Sequence, residues 1–348
     1  MIKIVCLRIA LLAPMVMWFG CTSAPPPRNA VSPVSHAPNI AGVRVAAWFG
    51  YRQGRTFADL APAADLLDSV SVCGQMPTAE FLAECRARGI KTYRMVIGGA
   101  EHYDTPERSD ATIAQYLEWC RDPGFDGIDL DYESLTPDGA AAYGRFIRAL
   151  AAQLHRAGKK LTICVFNPGT GRPGLYAYYD LDALAEACDY VKVMCYDLHM
   201  APGLNASWWE WPWHPGYGPT STAPWAREGM QDWLARVPRK KLVMGLPAYG
   251  NDYGPAPGST GRQIYAPKPP VPDGGGYEKF WLPYEQVHVY RYVNDKGEPR
   301  VFFASDSDST RAHLQTIAEL GLRGLSFWHY DAVPPDTWEL LRSSVNRD

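Results

Sequence analysis

The sequence has no excess of charge of either sign. Its 34 Lys and Arg stand against 37 Asp and Glu over 348 residues, a formal net charge of −3, which excludes a basic nucleic-acid footprint and a polyanionic tail. Its eight cysteines show no CxxC pair and no His-paired spacing, which argues against a zinc site. There is no repeat at solenoid period, and the apolar stretch Ile9–Gly20 falls short of the roughly 20 residues that cross a bilayer. Charged residues make up 20% and apolar residues 47%, the balance of a folded domain rather than a disordered or collagen-like chain. Aromatic residues are plentiful: 12 Trp and 20 Tyr, flat amphipathic rings that suit cores and sugar faces alike. At roughly 100–200 residues per domain, the length allows two or three small domains or one large α/β barrel with additions.

Lys3 and Arg8 precede Ile9–Gly20, and that stretch has the length of a signal-peptide core, so residues 1–20 are set apart from the fold. Its end, Trp18-Phe19-Gly20-Cys21, resembles a bacterial lipoprotein signal, in which a small residue precedes a cysteine that becomes lipidated. Cys21 is then the lipidation site, although Trp18 stands where Leu is usual; a plain signal cut after Ala24 is the alternative. Residues 21–42 hold five prolines (Pro25, Pro26, Pro27, Pro33 and Pro38) and read as an extended tether. The implied location is the bacterial cell envelope, with the membrane engaged through a lipid anchor only; a secreted chain is the alternative. Export also frames Cys73, Cys85, Cys120, Cys164, Cys188 and Cys195. In an oxidising space they could pair, Cys73 with Cys85 first because they flank one strand-to-helix step; buried free thiols are an equal reading.

From residue 43 to 348, β-branched runs alternate with helical patterns, as in parallel βα units. Eight strands are expected, at Val43–Phe49, Ser69–Cys73, Thr92–Gly98, Gly127–Glu133, Leu161–Phe166, Tyr190–Tyr196, Leu242–Tyr249 and Gly324–Tyr330. Helical spacing marks Thr78–Arg88, Ala111–Arg121, Gly139–Arg156 and Trp225–Val237. Eight such units form a closed (β/α)8 TIM barrel, whose typical length is about 250 residues. The surplus lies between strands seven and eight, where Asn251–Ala304 contains strand-like pieces joined by the hairpin turn Asn294-Asp295-Lys296-Gly297, an antiparallel insertion on the rim.

The strongest chemical pattern is Asp126-Gly127-Ile128-Asp129-Leu130-Asp131-Tyr132-Glu133. Alternate residues of a strand share a face, so Asp129, Asp131 and Glu133 point together and Ile128, Leu130 and Tyr132 point the other way. In a barrel strand the apolar set meets the helices, which leaves three carboxylates in the lumen, climbing toward the C-terminal rim where such barrels keep their active sites. A solvated charge run does not explain the alternation. A calcium loop lacks its turn glycine, and no metal is expected. Two positions along a strand span about 6.6 Å, where unit charges at an effective dielectric of about 20 repel by roughly 2.5 kcal/mol. Glu133, nearest the rim, is therefore expected to stay protonated near neutral pH, as a general acid for glycoside cleavage requires, with Asp129 and Asp131 titrating as a coupled pair.

At these residues the sequence resembles glycoside hydrolase family 18, the chitinases and related N-acetylglucosaminidases, whose DxxDxDxE motif is matched in full. Val193-Met194-Cys195-Tyr196-Asp197 resembles that family's MxYD, Gly245-Leu246-Pro247-Ala248-Tyr249-Gly250 its GxPxYG, and Gly324-Leu325-Ser326-Phe327-Trp328 its closing strand. Within the family, the segments around strands six to eight are most similar to the di-N-acetylchitobiase group and its bacterial relatives. The resemblance implies a barrel with a small α+β insertion after strand seven, and a substrate-assisted, retaining cleavage of β-linked N-acetylglucosamine that needs no cofactor. It implies Glu133 as the general acid, Asp131 as the residue that orients the substrate's 2-acetamido group, and Asp129 as the partner that exchanges a proton with Asp131. Tyr196 then donates to the acetamido oxygen, Met194 and Asp197 line the sugar subsite, and Trp328 is its floor. Two features depart from the family. Lys192 shares its face with Met194 and Tyr196, where the family commonly has a small polar or apolar residue; it either neutralises the lower aspartates or lies at the lower mouth. Trp208-Trp209-Glu210-Trp211-Pro212-Trp213 has no counterpart, and fits sugar stacking, a lid, or packing on the insertion. The expected partner is an N-acetylglucosamine-containing glycan, bound by a monomer; a non-catalytic carbohydrate-binding protein of the same fold is the alternative function.

Overall fold

The computed structural model describes residues 38–345, apart from 41, 170–173, 200–216, 257–258 and 260. The expected signal segment, Cys21, most of the tether and Trp208–Trp213 lie outside the described residues. Eight strands close into a parallel barrel: β1 (Arg44–Tyr51), β2 (Ser69–Gly74), β3 (Lys91–Gly99), β4 (Gly127–Ser134), β5 (Lys160–Phe166), β6 (Tyr190–Met194), β7 (Leu242–Pro247) and, after five further strands, β13 (Gly324–Trp328). Around the ring the order is β1-β2-β3-β4-β5-β6-β7-β13 and back to β1. The helices are α1 (Ala79–Ala87), α2 (Pro106–Arg121), α3 (Ala140–Arg156), α4 (Leu181–Ala187), α5 (Ala223–Leu234), α6 (Ser307–Leu320) and α7 (Pro335–Ser344). Two short 3-10 turns, Phe57–Asp59 and Ala61–Ala63, stand where a helix between β1 and β2 would be. No helix among the described residues is long and apolar enough to cross a membrane.

Alternation gives each strand two environments. The outward set of β4, Ile128, Leu130 and Tyr132, is buried under the helices, and Phe146, Ile147 and Leu150 of α3 pack in the same core; each such side chain contributes roughly 1.5–3 kcal/mol by leaving water. Tyr132 satisfies its hydroxyl against that of Tyr116 on α2, at 2.6 Å. At the lower mouth three aspartates clamp neighbouring strands by accepting a backbone N–H: Asp68 from Val45 (2.8 Å), Asp126 from Thr92 (2.9 Å) and Asp189 from Leu161 (2.9 Å).

The differences from sequence expectation have local causes. Helix α2 begins five residues earlier than its apolar spacing indicates, because Thr105 caps Arg108 N–H at 3.3 Å and Pro106 takes the first turn. Strand β6 stops at Met194 and the chain turns at Asp197, whose φ is +60°. Strand β7 stops at Pro247, which has no N–H for a ladder, and β8 (Gly250–Tyr253) leaves for a second sheet. That sheet also holds β9 (Gly261–Ile264), β10 (Tyr277–Leu282), β11 (Val287–Val293) and β12 (Pro299–Phe303), in the order β10-β11-β12-β8-β9. Its pairs are antiparallel. The β11–β12 hairpin turns through Asn294–Gly297, closed by Asn294 N–H to Glu298 O at 3.0 Å, with Gly297 at φ +77°. The described residues of the insertion form strands and turns, without the helical part that the resemblance implies; α6, which follows, covers the barrel. The six cysteines of the folded part are free, and Cys73 does not pair with Cys85. Strand β2 turns Cys73 to the lumen side, toward Phe49 O at 3.5 Å, whereas Cys85 is buried in the core on α1.

Candidate active site

The lumen face of β4 carries Asp129, Asp131 and Glu133 in ascending order, and their surroundings differ. Asp129 is fully buried. Its Oδ2 accepts from Trp48 Nε1 on β1 at 3.0 Å and from Lys192 Nζ on β6 at 2.8 Å, and its Oδ1 accepts from the Thr162 hydroxyl on β5. Asp131, 5% exposed, has an Oδ1 with no hydrogen-bond partner. Burial, and then the charge of Asp129, push its carboxyl well above the ordinary range, against the Cys164 thiol and Lys192, which pull it down. Glu133, partly exposed at the rim, is raised as well, by burial first and then by Asp131 and Asp197. Repulsion, the cause read from the strand spacing, thus comes second to the loss of water around the carboxyl.

Lys192 both pairs with Asp129 and lines a cavity of about 260 Å³ at the lower mouth. Above it on β6, Met194 is buried. Tyr196 is buried beyond the strand end, its ring edge-on to Trp48 (centroids 6.4 Å apart) and to Tyr249 (6.3 Å). Gly245 on β7 makes this possible: a Cβ there would stand 2.8 Å from Val193 O and 3.3 Å from the Tyr196 ring. Trp328, half-buried at the end of β13, meets Trp48 edge-on at 5.9 Å. Asp197 accepts from the Tyr249 hydroxyl and, at 3.3 Å, from Gln263 Nε2 of β9. The fold therefore gathers Asp129, Asp131, Glu133, Met194, Tyr196, Asp197 and Trp328 about one end of the lumen.

Four contributors escaped sequence reasoning. Trp48 sits between the small residues Ala46 and Gly50 on one face of β1, a parity that could have marked it as lumenal. Tyr249 lay inside a quoted motif without being assigned a place. Gln263 and Tyr265, whose ring lies 5.3 Å from that of Tyr249, come from the insertion, and nothing local in the sequence points to them. Among the described residues, the metal-spaced group is His288, Asp306 and Asp308. It lies on β11 and around the start of α6, and its carboxylates already serve as the α6 cap and the Arg311 partner.

Residues 53–332 match the profile of the glycosyl hydrolases family 18. The chain belongs to that family. The cortical fragment-lytic enzyme of Bacillus subtilis is 26% identical over 240 residues, 67% of this chain and 53% of that protein. Chitotriosidase-1 of Mus musculus is 24% identical over 255 residues, 65% of this chain and 53% of that protein; these matches span about half of each relative's own length. A chitinase structure from Chromobacterium violaceum superposes with a TM-score of 0.71 at 20% identity, covering 87% of this chain and 98% of that one. The spore cortex-lytic enzyme of Bacillus cereus gives 0.70 at 18%, covering 89% and 76%. Both are likenesses of fold. In family 18 terms, the matched DxxDxDxE divides its work: Asp126 is the strand clamp at the lower mouth, and the three carboxylates above it share the lumen.

Proposed function

We propose that this family 18 glycosidase cleaves β-linked N-acetylglucosamine in chitooligosaccharides or peptidoglycan by a substrate-assisted, retaining mechanism, with Glu133 as general acid. The observation that carries the reading is the contrast along β4: an aspartate saturated with donors, then a buried aspartate with an open oxygen, then a carboxyl at the rim whose pKa is raised by burial and by Asp131 and Asp197. Asp131 Oδ1 is free to accept the acetamido N–H of a sugar above it, while the Tyr196 hydroxyl donates to the acetamido oxygen. So oriented, that oxygen attacks the anomeric carbon as the glycosidic C–O bond breaks, and the Glu133 proton passes to the leaving oxygen. The resulting oxazolinium cation lies against the Asp131 carboxylate, an interaction stronger in the transition state than in the ground state. Water then opens the ring, giving its proton to Glu133 and restoring the acid. Trp328 provides a face for the sugar ring, and Met194 and Asp197 line its pocket. The names of the relatives support both polymers, and an envelope location through Cys21 favours peptidoglycan.

The test is hydrolysis of chitooligosaccharides and muropeptides, read by mass spectrometry, for the wild type and Glu133→Gln. Cleavage by the wild type and its loss by several orders of magnitude in the variant is the expected result. Unchanged hydrolysis would remove Glu133 from the mechanism, and an inactive wild type that still binds glycans would favour the carbohydrate-binding alternative.

A further inference from the structure

Lys192 is a charged lumen residue that this mechanism leaves without a task, and it is one of the two features in which the sequence departs from the family pattern. Its ammonium is 3% exposed and donates to Asp129 Oδ2 at 2.8 Å and Ser71 Oγ at 2.7 Å, 4.8 Å from the centre of the Trp48 ring. Trp48 and Thr162 supply Asp129 with two more donors, so a proton on either oxygen would displace a donor already in place. Asp131 is in the opposite condition, with an open Oδ1 and the Cys164 thiol as its neighbour.

We infer that Lys192 is a positioning residue that fixes Asp129 as an ionised anchor, so that the exchangeable proton of the aspartate pair belongs to Asp131 alone and is not handed down to Asp129. When Asp131 ionises, its O–H bond breaks and the proton leaves upward, to solvent in the cleft, with the electron pair staying on the carboxylate. The inference rests on the proposed role of Asp131 beside the acetamido group. The other titratable groups facing the pair are Cys73 on β2, Tyr93 on β3, Glu133 on β4, Cys164 on β5, Tyr179 before α4 and Tyr196 beyond β6. Burial raises all six, which keeps the thiols and phenols neutral and leaves Lys192 as the cation that balances Asp129.

Carboxyl 13C NMR titration of the full chain labelled at aspartate tests this without substrate, with signals assigned by Asp131→Asn and Asp129→Asn. In the wild type, Asp131 should titrate near neutral pH while Asp129 holds its carboxylate position over the same range. In Lys192→Met, the pair should take up its first proton at least roughly one pH unit higher, the effect of losing the charge that stands 2.8 Å from Asp129 Oδ2, and both signals should move. Lys192→Arg, with the lower cavity to receive the larger head, should keep the wild-type pattern. Both aspartates moving together in the wild type would overturn the inference, as would a Lys192→Met titration that coincides with it. If Lys192→Met does not fold, the wild-type titration decides alone. Glycan hydrolysis by the wild type and Glu133→Gln judges the proposed function separately. With that function intact, Lys192→Met should displace the pH–rate profile; a uniform loss of rate with an undisplaced profile counts against the inference, because any packing defect produces it.

Discussion

Replacing Glu133 by Gln should stabilise the protein at alkaline pH while abolishing its proposed catalysis. Glu133 has an ordinary carboxyl pKa of 4.5 when the chain is unfolded and is pushed up to about 8 in the lumen, by burial and then by Asp131 and Asp197. Between those values the folded state binds more protons than the unfolded one. Stability is therefore undiminished below about pH 4.5 and declines as the pH rises to about 8. The full difference bounds the loss at about 5 kcal/mol; partial exposure and the coupling to Asp131 reduce it to about 2 kcal/mol. Glutamine is neutral throughout and removes this dependence. Urea unfolding of the two proteins should give nearly equal stabilities at pH 5 and a variant about 2 kcal/mol more stable at pH 8 or above. Comparing the pair at each pH cancels the carboxylates that weaken the fold in acid, such as Asp180 and Asp306, whose pKa values are lowered. An equal difference at both pH values would refute the reasoning, because a packing effect carries no pH dependence. On the same basis wild-type kcat should fall on the alkaline side, with a limb near 8.

Trp48→Phe removes the 3.0 Å hydrogen bond to Asp129 and should cost about 1.5–3 kcal/mol, as for hydrogen bonds to charged groups; thermal denaturation that matches the wild type would contradict this. Gly245→Ala places a Cβ 2.8 Å from Val193 O and against Tyr196, so hydrolysis should fall at least tenfold with a stability loss of about 1–3 kcal/mol; wild-type kinetics would show that the ring has room to give. Asp252→Ala strips a fully buried carboxylate from Arg300 (2.8 Å), Arg262 (3.1 Å) and Tyr292 (2.9 Å). About 3–5 kcal/mol should be lost from the inserted sheet, seen as faster hydrogen exchange in β8–β12 with the barrel strands still protected, and exchange spread evenly over both sheets would argue otherwise.

The barrel was legible because its strands are short, β-branched and regularly alternating, and the three carboxylates were legible because a period of two leaves little freedom on β4. Contacts that depend on closure were less so. Trp48 reaches a partner 81 residues away, and nothing around a lone Trp announces it, whereas the face Lys192 shares with Met194 and Tyr196 already pointed to the lower aspartates or the lower mouth, and it meets both. The strands β9 and β10 lie among Gly and Pro, whose turn signals hide short extended runs. The pairing of Cys73 with Cys85 failed because closeness in sequence across a strand-to-helix step says nothing about the face each side chain takes.

The inserted sheet starts and stops at one place. Tyr249, the last residue before it, accepts through its carbonyl from Ser305 Oγ, just after it, at 2.7 Å, and Asn251 lies beside Phe303 in the ladder. A segment whose two ends meet can be exchanged as a cassette with little change in the distance its host must bridge. Because Gln263 travels in that cassette and the carboxylates of β4 do not, evolution or an engineer can rewrite the wall beside Asp197 while the acid that would break the bond stays where it is.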